Sequence, residues 1–362
     1  MTNQFSISVI LPCYNVVQYI ERAMDSILIQ DFVGYEVIIV NDGSPDNLLE
    51  VCKKWENMPN VTILTTPNQG VAQARNEGLG IAKGEYVYFM DPDDFLNQGL
   101  FSTIFKKAKE EDCDAIYFGC RTIEEYRDNW TYDTITKECS YSSHGAIMKE
   151  CLPKFIGFGQ KDFDNWMHDN PWQNKEFASV WRFMFRRSLL EENNIRFSKG
   201  VKLSEDKYFV LNVLLHSTKV CAVEDVFYNY IMRANGGLVN SLSNSKNLLK
   251  AKIDGVVERA KLRTIAKTLY GEDIFSMYSG TVVLGAVEIA VRGAKLPIST
   301  CIKDVKTYMA LDDVKDACHS ISFGGLPLKF RLPSIMVKYH MASLLVVLIH
   351  FADKMGVKLS AF

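Results

Sequence analysis

The feature that most constrains this chain is the strict alternation of short apolar runs and amphipathic segments between residues 6 and 90. Residues 6–11 (SISVIL) are a β-branched run that stops at Pro12, and a helical pattern follows with Tyr19, Ile20, Ala23, Met24 and Ile27 on one face. Residues 35–40 (YEVIIV) repeat the theme and end at Asn41-Asp42-Gly43-Ser44, before a second helix carrying Leu48, Leu49, Cys52 and Trp55. A strand at 61–64, a helix at 71–82 and a strand at 86–90 complete the series. Strand and helix joined by short connections predict a β-α-β series with helices on both faces of a parallel sheet. Such sheets bind ligands at the carboxyl ends of their strands. Three of those ends are polar: Pro12-Cys13-Tyr14-Asn15, Asn41-Asp42-Gly43-Ser44 and Asp91-Pro92-Asp93-Asp94.

The ligand is not a glycine-cradled dinucleotide. G-x-G-x-x-G is missing after the first strand, and Gly78, Gly80 and Gly84 end a helix instead of opening one. No G-x-x-x-x-G-K-[ST] loop occurs either. The strand ends offer carboxylates, which repel a diphosphate unless Mg²⁺ or Mn²⁺ lies between them. A net charge of −2 argues against nucleic acid as partner. Nine singly placed cysteines without a C-x-x-C pair fit reduced thiols. The opening MTNQFSISVILP shows no secretory signal pattern, which favours a cytoplasmic location.

In order and spacing, four motifs resemble family 2 glycosyltransferases of the GT-A fold. They are Val9-Ile10-Leu11-Pro12-Cys13-Tyr14-Asn15, Val40-Asn41-Asp42-Gly43-Ser44, Asn68-Gln69-Gly70 with Ala74-Arg75-Asn76, and Phe89-Met90-Asp91-Pro92-Asp93-Asp94. The resemblance is strong over residues 6–120 and resumes at 181–213 and 227–241. It implies a GT-A, Rossmann-like mixed α/β sheet plus a C-terminal helical extension. A catalytic domain would occupy residues 1–242, with a nucleotide-binding half at 1–120 and an acceptor-binding half at 121–242. Residues 243–362 would form a helical region that associates with a membrane.

The same resemblance assigns roles. Pro12, Tyr14 and Asp42 would line the uracil and ribose pocket, Arg75 would sit near the base or diphosphate, and Arg233 would contact the diphosphate or close a loop over the donor. Asp91 and Asp93 form the D-x-D element. Asp93 would contact Mn²⁺ or Mg²⁺ more directly, while Asp91 would bridge to the ribose or the metal. Asp206 is the expected general base, with Glu205 as the other candidate. Ordinary roles compete: Asn-Asp-Gly-Ser is good turn chemistry, and the acids at 91–94 and 204–206 would also cap helices. Three acids in four residues after a buried strand would repel one another without a cation, which favours a metal site.

The reaction implied is inverting transfer of a sugar from a UDP-sugar to a hydroxyl of an oligosaccharide or lipid-linked glycan, in bacterial surface-polysaccharide synthesis. A nucleotidyltransferase or a non-catalytic sugar-nucleotide-binding scaffold are the other readings. Residues 119–178 are aromatic-rich and suit either an acceptor wall or a packed insertion, with His144 and His168 unassigned. From Phe323 onward five Lys/Arg face Asp353 alone, so the tail is basic as well as apolar. Its apolar run at 339–352 would be about 21 Å long as a helix, too short for a hydrocarbon core of about 30 Å. The tail therefore suits the surface of an anionic membrane, placing the chain peripherally on the inner face, or else a core helix or homodimer contact.

Overall fold

The computed structural model describes residues 5–127, 130–166, 175–201, 203–233 and 245–356. The chain divides into two compact units, one of residues Met1–Cys151 with Ala178–Gly236, the other of Leu152–Phe177 with Gly237–Phe362.

The first unit opens with β1 (Phe5–Cys13), α1 (Ile20–Leu28), β2 (Tyr35–Asp42), α2 (Leu48–Cys52), β3 (Val61–Thr66), α3 (Val71–Ile81) and β4 (Gly84–Phe89). It continues through β5 (Phe95–Leu96), α4 (Leu100–Glu111), β6 (Ala115–Glu124), β7 (Trp130–Thr134), β8 (Cys139–Tyr141) and the single turn α5 (His144–Ala146). After the excursion into the second unit it closes with β9 (Phe183–Arg186), α8 (Arg187–Glu192), α9 (Glu205–His216) and β10 (Val220–Met232). The strands form one mixed sheet in the order β3-β2-β1-β4-β9-β6-β10-β5, with β7 on β6 and β8 on β10. The β3-β2-β1-β4 half is parallel, as the alternation predicts; β9 runs antiparallel between β4 and β6.

Side-chain alternation along β1 sets the two faces. Ile7, Val9 and Leu11 join the core under α1 and α4, with Ile20, Met24, Phe101 and Ile104. On the other face Ile10 meets α3, and a Cβ on Gly78 would lie 2.5 Å from Ile10 Cγ2. Two of the glycines that fail the dinucleotide pattern therefore have a packing role: Gly78 lets α3 settle on the sheet, one turn beyond Arg75, and Gly84 lets β4 approach Ser8 of β1.

One expectation is corrected. Cys113 and Cys221 form a disulfide with Cα atoms 6.3 Å apart, where nine reduced thiols were expected. Parallel pairing of Val220 with Ala115 and Cys221 with Ile116 brings together residues 108 apart in sequence, a proximity that spacing alone does not reveal. By contact, the inserted segment that begins at Leu152 groups with the C-terminal helices.

That second unit contains α6 (Leu152–Ile156), α7 (Gln160–Asp164), α10 (Ser245–Tyr270), α11 (Ser279–Arg292), α12 (Ile298–Met309), α13 (Asp312–Ser320), α14 (Leu328–Lys338) and α15 (Ala342–Lys354). Almost all of α11 is buried, as an apolar helix of mostly small and β-branched residues must be. Thr281 fastens the inserted segment to it, accepting from Phe158 N–H through Oγ1 (2.6 Å) and donating its own N–H to Phe158 O (2.9 Å). Among the described residues no helix is long and apolar enough to cross a membrane.

Candidate functional site

The parallel strands end in register, with Cys13 opposite Asn41 and Ile10 opposite Phe89, so their connecting loops share one edge of the sheet. Pro12 is buried in β1, whereas Tyr14 just beyond it is 49% exposed. Asn15 turns the chain in the left-handed region (φ 55°) and donates its N–H to Ser44 Oγ at 2.7 Å. Asp46 secures the same loops by accepting from Ser44 Oγ–H, Val17 N–H and Leu48 N–H. Loss of water opposes its ionisation, yet those hydrogen bonds hold its pKa below the usual carboxylate value. Asp42 is buried, and its two oxygens accept the N–H groups of Gln69 and Gly70, each at 2.8 Å. It thereby holds the loop that leads into α3, and a carboxylate keeps lone pairs for a further donor such as a base N–H.

The Asp91-Pro92-Asp93-Asp94 loop splits into exposed and buried acids. Asp94 points inward, accepting from Tyr228 O–H (2.6 Å) and Ile231 N–H (2.8 Å). Burial, and after it the charges of Asp93 and Asp91, push its pKa well above normal. It is therefore a structural anchor to β10, not an extension of the D-x-D element. Asp91 and Asp93 remain 28% and 38% exposed, and each meets an arginine through one oxygen. Arg75 Nη2 reaches Asp91 Oδ1 at 2.9 Å; Arg233 Nη1 reaches Asp93 Oδ2 at 2.6 Å. Arg233 also donates to Asp93 O, lies 4.0 Å from the centroid of the Tyr19 ring and sits 3.7 Å from Glu125. Its buried Nε has no hydrogen-bond partner. Burial and the charge of Asp91 raise the pKa of Asp93, against the pull of Arg233. The mutual repulsion of the acids, expected to require a metal, is thus partly relieved by the chain's own arginines.

Arg75 also crosses to the start of α9, where Nη1 meets Glu205 Oε1 at 2.9 Å. Its side chain is 4% exposed, so this is a buried Asp–Arg–Glu triad. Burial disfavours the cation, but Asp91, Glu205 and Asp206 outweigh it and raise the Arg75 pKa. The next residue, Asn76, donates to Phe197 O and accepts from Phe197 N–H, both at 2.9 Å. Phe197 in turn stacks on Phe209 of α9 with centroids 4.0 Å apart. Helix α3 therefore positions α9 through two consecutive side chains.

Neither acidic run serves as a side-chain helix cap. Gly99 precedes α4 and Ser204 precedes α9, and neither makes a side-chain cap hydrogen bond. Glu205 pairs with Arg75 instead. Asp206, beside it and part-exposed, accepts the N–H of Lys207 at 2.7 Å. Desolvation first, and then the negative charge of Glu205, raise its pKa to about 7, with Arg75 opposing.

All candidate residues thus lie in the first unit: Pro12, Tyr14 and Asp42 on the β1 and β2 ends, and Arg75, Asp91, Glu205 and Asp206 in one cluster. Arg233 joins Asp93 beside them. Sequence reasoning missed Asp46, Asn76 and Tyr228. The Ala-Arg-Asn run and the tyrosines of β10 were visible signals, but their partners lie 121 and 134 residues away. Trp181, in the turn before β9, stacks on Tyr228 (4.2 Å, 13°) and Tyr230 (5.6 Å, 10°). His144 opens α5 in the first unit, and His168 lies outside the described residues, as does the Asn235-Gly236-Gly237 run.

The donor set fits a divalent cation of one kind. No group of three His, Cys, Asp or Glu is placed to hold an ion among the described residues. Asp91 and Asp93 each have a second oxygen away from their arginine, and Mg²⁺ or Mn²⁺ is commonly held by one or two carboxylates with phosphate oxygens completing its shell. The site suits an ion shared with a diphosphate and not an all-protein cage.

A mixed sheet with a D-x-D loop at the ends of its parallel strands, and helices on both faces, is an α/β GT-A fold. The chain belongs to glycosyl transferase family 2, whose profile matches residues 8–193, just over half of its length. It is 28% identical over 225 residues to the uncharacterized glycosyltransferase EpsJ of Bacillus subtilis, covering 62% of this chain and 60% of that one. It is 23% identical over 357 residues to the cholesterol galactosyltransferase of Borreliella burgdorferi, covering 93% of each. The structure of residues 1–349 of S. aureus TarS in complex with UDP-GlcNAc superposes with a TM-score of 0.64 at 18% identity, covering 98% of this chain and 93% of that one. Matches span only 34% to 63% of the length of three curated relatives.

Proposed function

We propose that this protein is a metal-dependent, inverting glycosyltransferase that moves a sugar from a UDP-sugar to a hydroxyl of a glycan acceptor in surface-polysaccharide assembly. The observation that carries this reading is the buried Arg75, which joins Asp91 of the D-x-D loop to Glu205 and so places Asp206 beside that loop. The TarS complex with UDP-GlcNAc supports a nucleotide-sugar donor, and the relative named as a cholesterol galactosyltransferase supports transfer to a hydroxyl of a lipid.

In this reading Pro12, Tyr14 and Asp42 receive the nucleoside, with Asp42 accepting a base N–H. Asp91 and Asp93 would hold Mn²⁺ or Mg²⁺, which when bound offsets the negative charge developing on the departing diphosphate. Arg233, bonded to Asp93 at the edge of this loop, would turn its guanidinium to the diphosphate. Asp206 takes the proton from the acceptor hydroxyl while that oxygen bonds to the anomeric carbon and the bond from carbon to phosphate oxygen breaks, releasing UDP. Attack opposite the leaving group inverts the anomeric centre. Glu205, neutralised by Arg75, is the weaker candidate for base, whereas a pKa near 7 suits Asp206 for general base work at neutral pH. Residues 1–120 would form the nucleotide half, and the rest of the first unit the acceptor half. We place the protein at the cytosolic face of the membrane, where such acceptors are assembled.

A donor panel read by UDP release tests the proposal. Release that depends on Mn²⁺ or Mg²⁺ and is lost in Asp206→Asn supports it. UDP release from no donor points to a binding scaffold, and pyrophosphate release from a sugar phosphate and a nucleoside triphosphate points to a nucleotidyltransferase.

A further inference from the structure

Helix α15 is apolar on two faces. Ala342, Leu345, Val346 and Ile349 are buried against the second unit at 0–2% exposure. Leu344, Val347, Phe351 and Met355, spaced three or four residues apart, form a separate stripe that is 46–65% exposed. A helix apolar all round is ordinarily covered all round. Helix α14 repeats the pattern with Leu328, Leu332 and Tyr339, exposed at 73%, 40% and 67%. Met341 lies exposed in the connection between the two helices.

The charges bordering these stripes are of one sign. Lys329, Arg331 and Lys338 flank the stripe of α14, and Lys354 flanks that of α15. No acid pairs with any of the four among the described residues. The lone acid of this stretch, Asp353, falls at the helical angle opposite Leu344, away from the stripe. Arg331 and Lys338 are held by backbone carbonyls of the same unit. Apolar side chains bordered by basic ones whose charge no acid offsets complement the interface of an anionic bilayer, through buried area and electrostatic attraction together. At 13 residues α15 spans about 20 Å, which suits lying in the interface plane and not crossing it.

We infer that the exposed faces of α14 and α15 dock the second unit on an anionic lipid surface. The inference stands apart from the transferase reading, since it uses no residue of the D-x-D site. The test is flotation of the full chain with vesicles of phosphatidylcholine alone, or with about one-third phosphatidylglycerol. The chain should float with the anionic vesicles and not with the neutral ones. Flotation should weaken at about 1 M salt, where the Debye length is about 3 Å. Val347→Glu/Phe351→Glu should lower the apparent affinity at least about tenfold, and Lys329→Glu/Lys354→Glu about fivefold or more per charge. The altered side chains are exposed, so an unchanged melting temperature serves as the folding control. Failure to float with anionic vesicles overturns the inference, as does binding unaffected by Val347→Glu/Phe351→Glu. A lipid-free dimer that those substitutions dissociate, from a chain that does not float, assigns the face to a second copy instead.

Discussion

The two arginines of the D-x-D loop make the same kind of bond in different surroundings. Arg75 is buried between two carboxylates and fixed by packing over the Phe197 ring at 5.3 Å. Arg233 lies on the Tyr19 ring and pairs with the more exposed of the two acids. A buried ion pair is costly to break because the remaining charge is stranded, whereas a pair whose acid is 38% exposed leaves that acid in contact with water. Arg75 is accordingly a strut joining the D-x-D loop to α9, and Arg233 is the arginine able to turn to an incoming diphosphate.

Four measurements sharpen or break that contrast. The largest effect is expected for Arg75→Met, which strands Asp91 and Glu205 and should lower unfolding free energy by about 3–5 kcal/mol in denaturant titrations, abolishing turnover as well. Adding Glu205→Gln should recover part of that loss; a single variant as stable as the parent would refute the strut. Next is Asp206→Asn, expected to reduce kcat by about 10²–10⁴-fold while the melting temperature at neutral pH stays at or above that of the parent.

The same residue governs the third prediction. With its folded pKa near 7, Asp206 must lose its proton to act as base, so kcat/KM should fall as pH drops through about 7. Linkage runs the other way for stability: a raised carboxyl pKa favours the folded state while the group is protonated, and that contribution is lost between about pH 4 and 7 as pH rises. Asp206→Asn should remove both dependences. The smallest effect on folding is expected for Arg233→Met, less than that of Arg75→Met because it strands one part-exposed acid and not two acids, with a rise of about tenfold in donor KM. An effect on stability as large as that of Arg75→Met would erase the distinction between the pairs.

Much of the first unit was legible because its signals are local. Period-two runs and strand-end polar residues are read within a few positions, and β1 to β4 formed where the alternation placed them. Asp46, Asn76, Asp94 and Tyr228 were not legible, since their roles depend on partners brought in by β10 and by the segment before α9. The Cys113–Cys221 disulfide was hidden for the same reason. The inserted segment from Leu152 stayed open between an acceptor wall and a packed insertion, because aromatic composition serves both equally well. The apolar run at 339–352 is not helical throughout: α14 ends at Lys338, His340 turns the chain with φ 57°, and α15 begins at Ala342.

What the sequence determined by itself was the parallel half-sheet, the polar loops at its strand ends and the family that carries them, because β-propensity, turn chemistry and short motifs act over neighbouring residues. Tertiary structure alone decided which acid of the Asp91-Pro92-Asp93-Asp94 loop faces inward, which arginine is fixed and which carboxylate titrates near neutrality. Burial and charge pairing depend on distances between residues more than a hundred positions apart, and no local pattern encodes those distances.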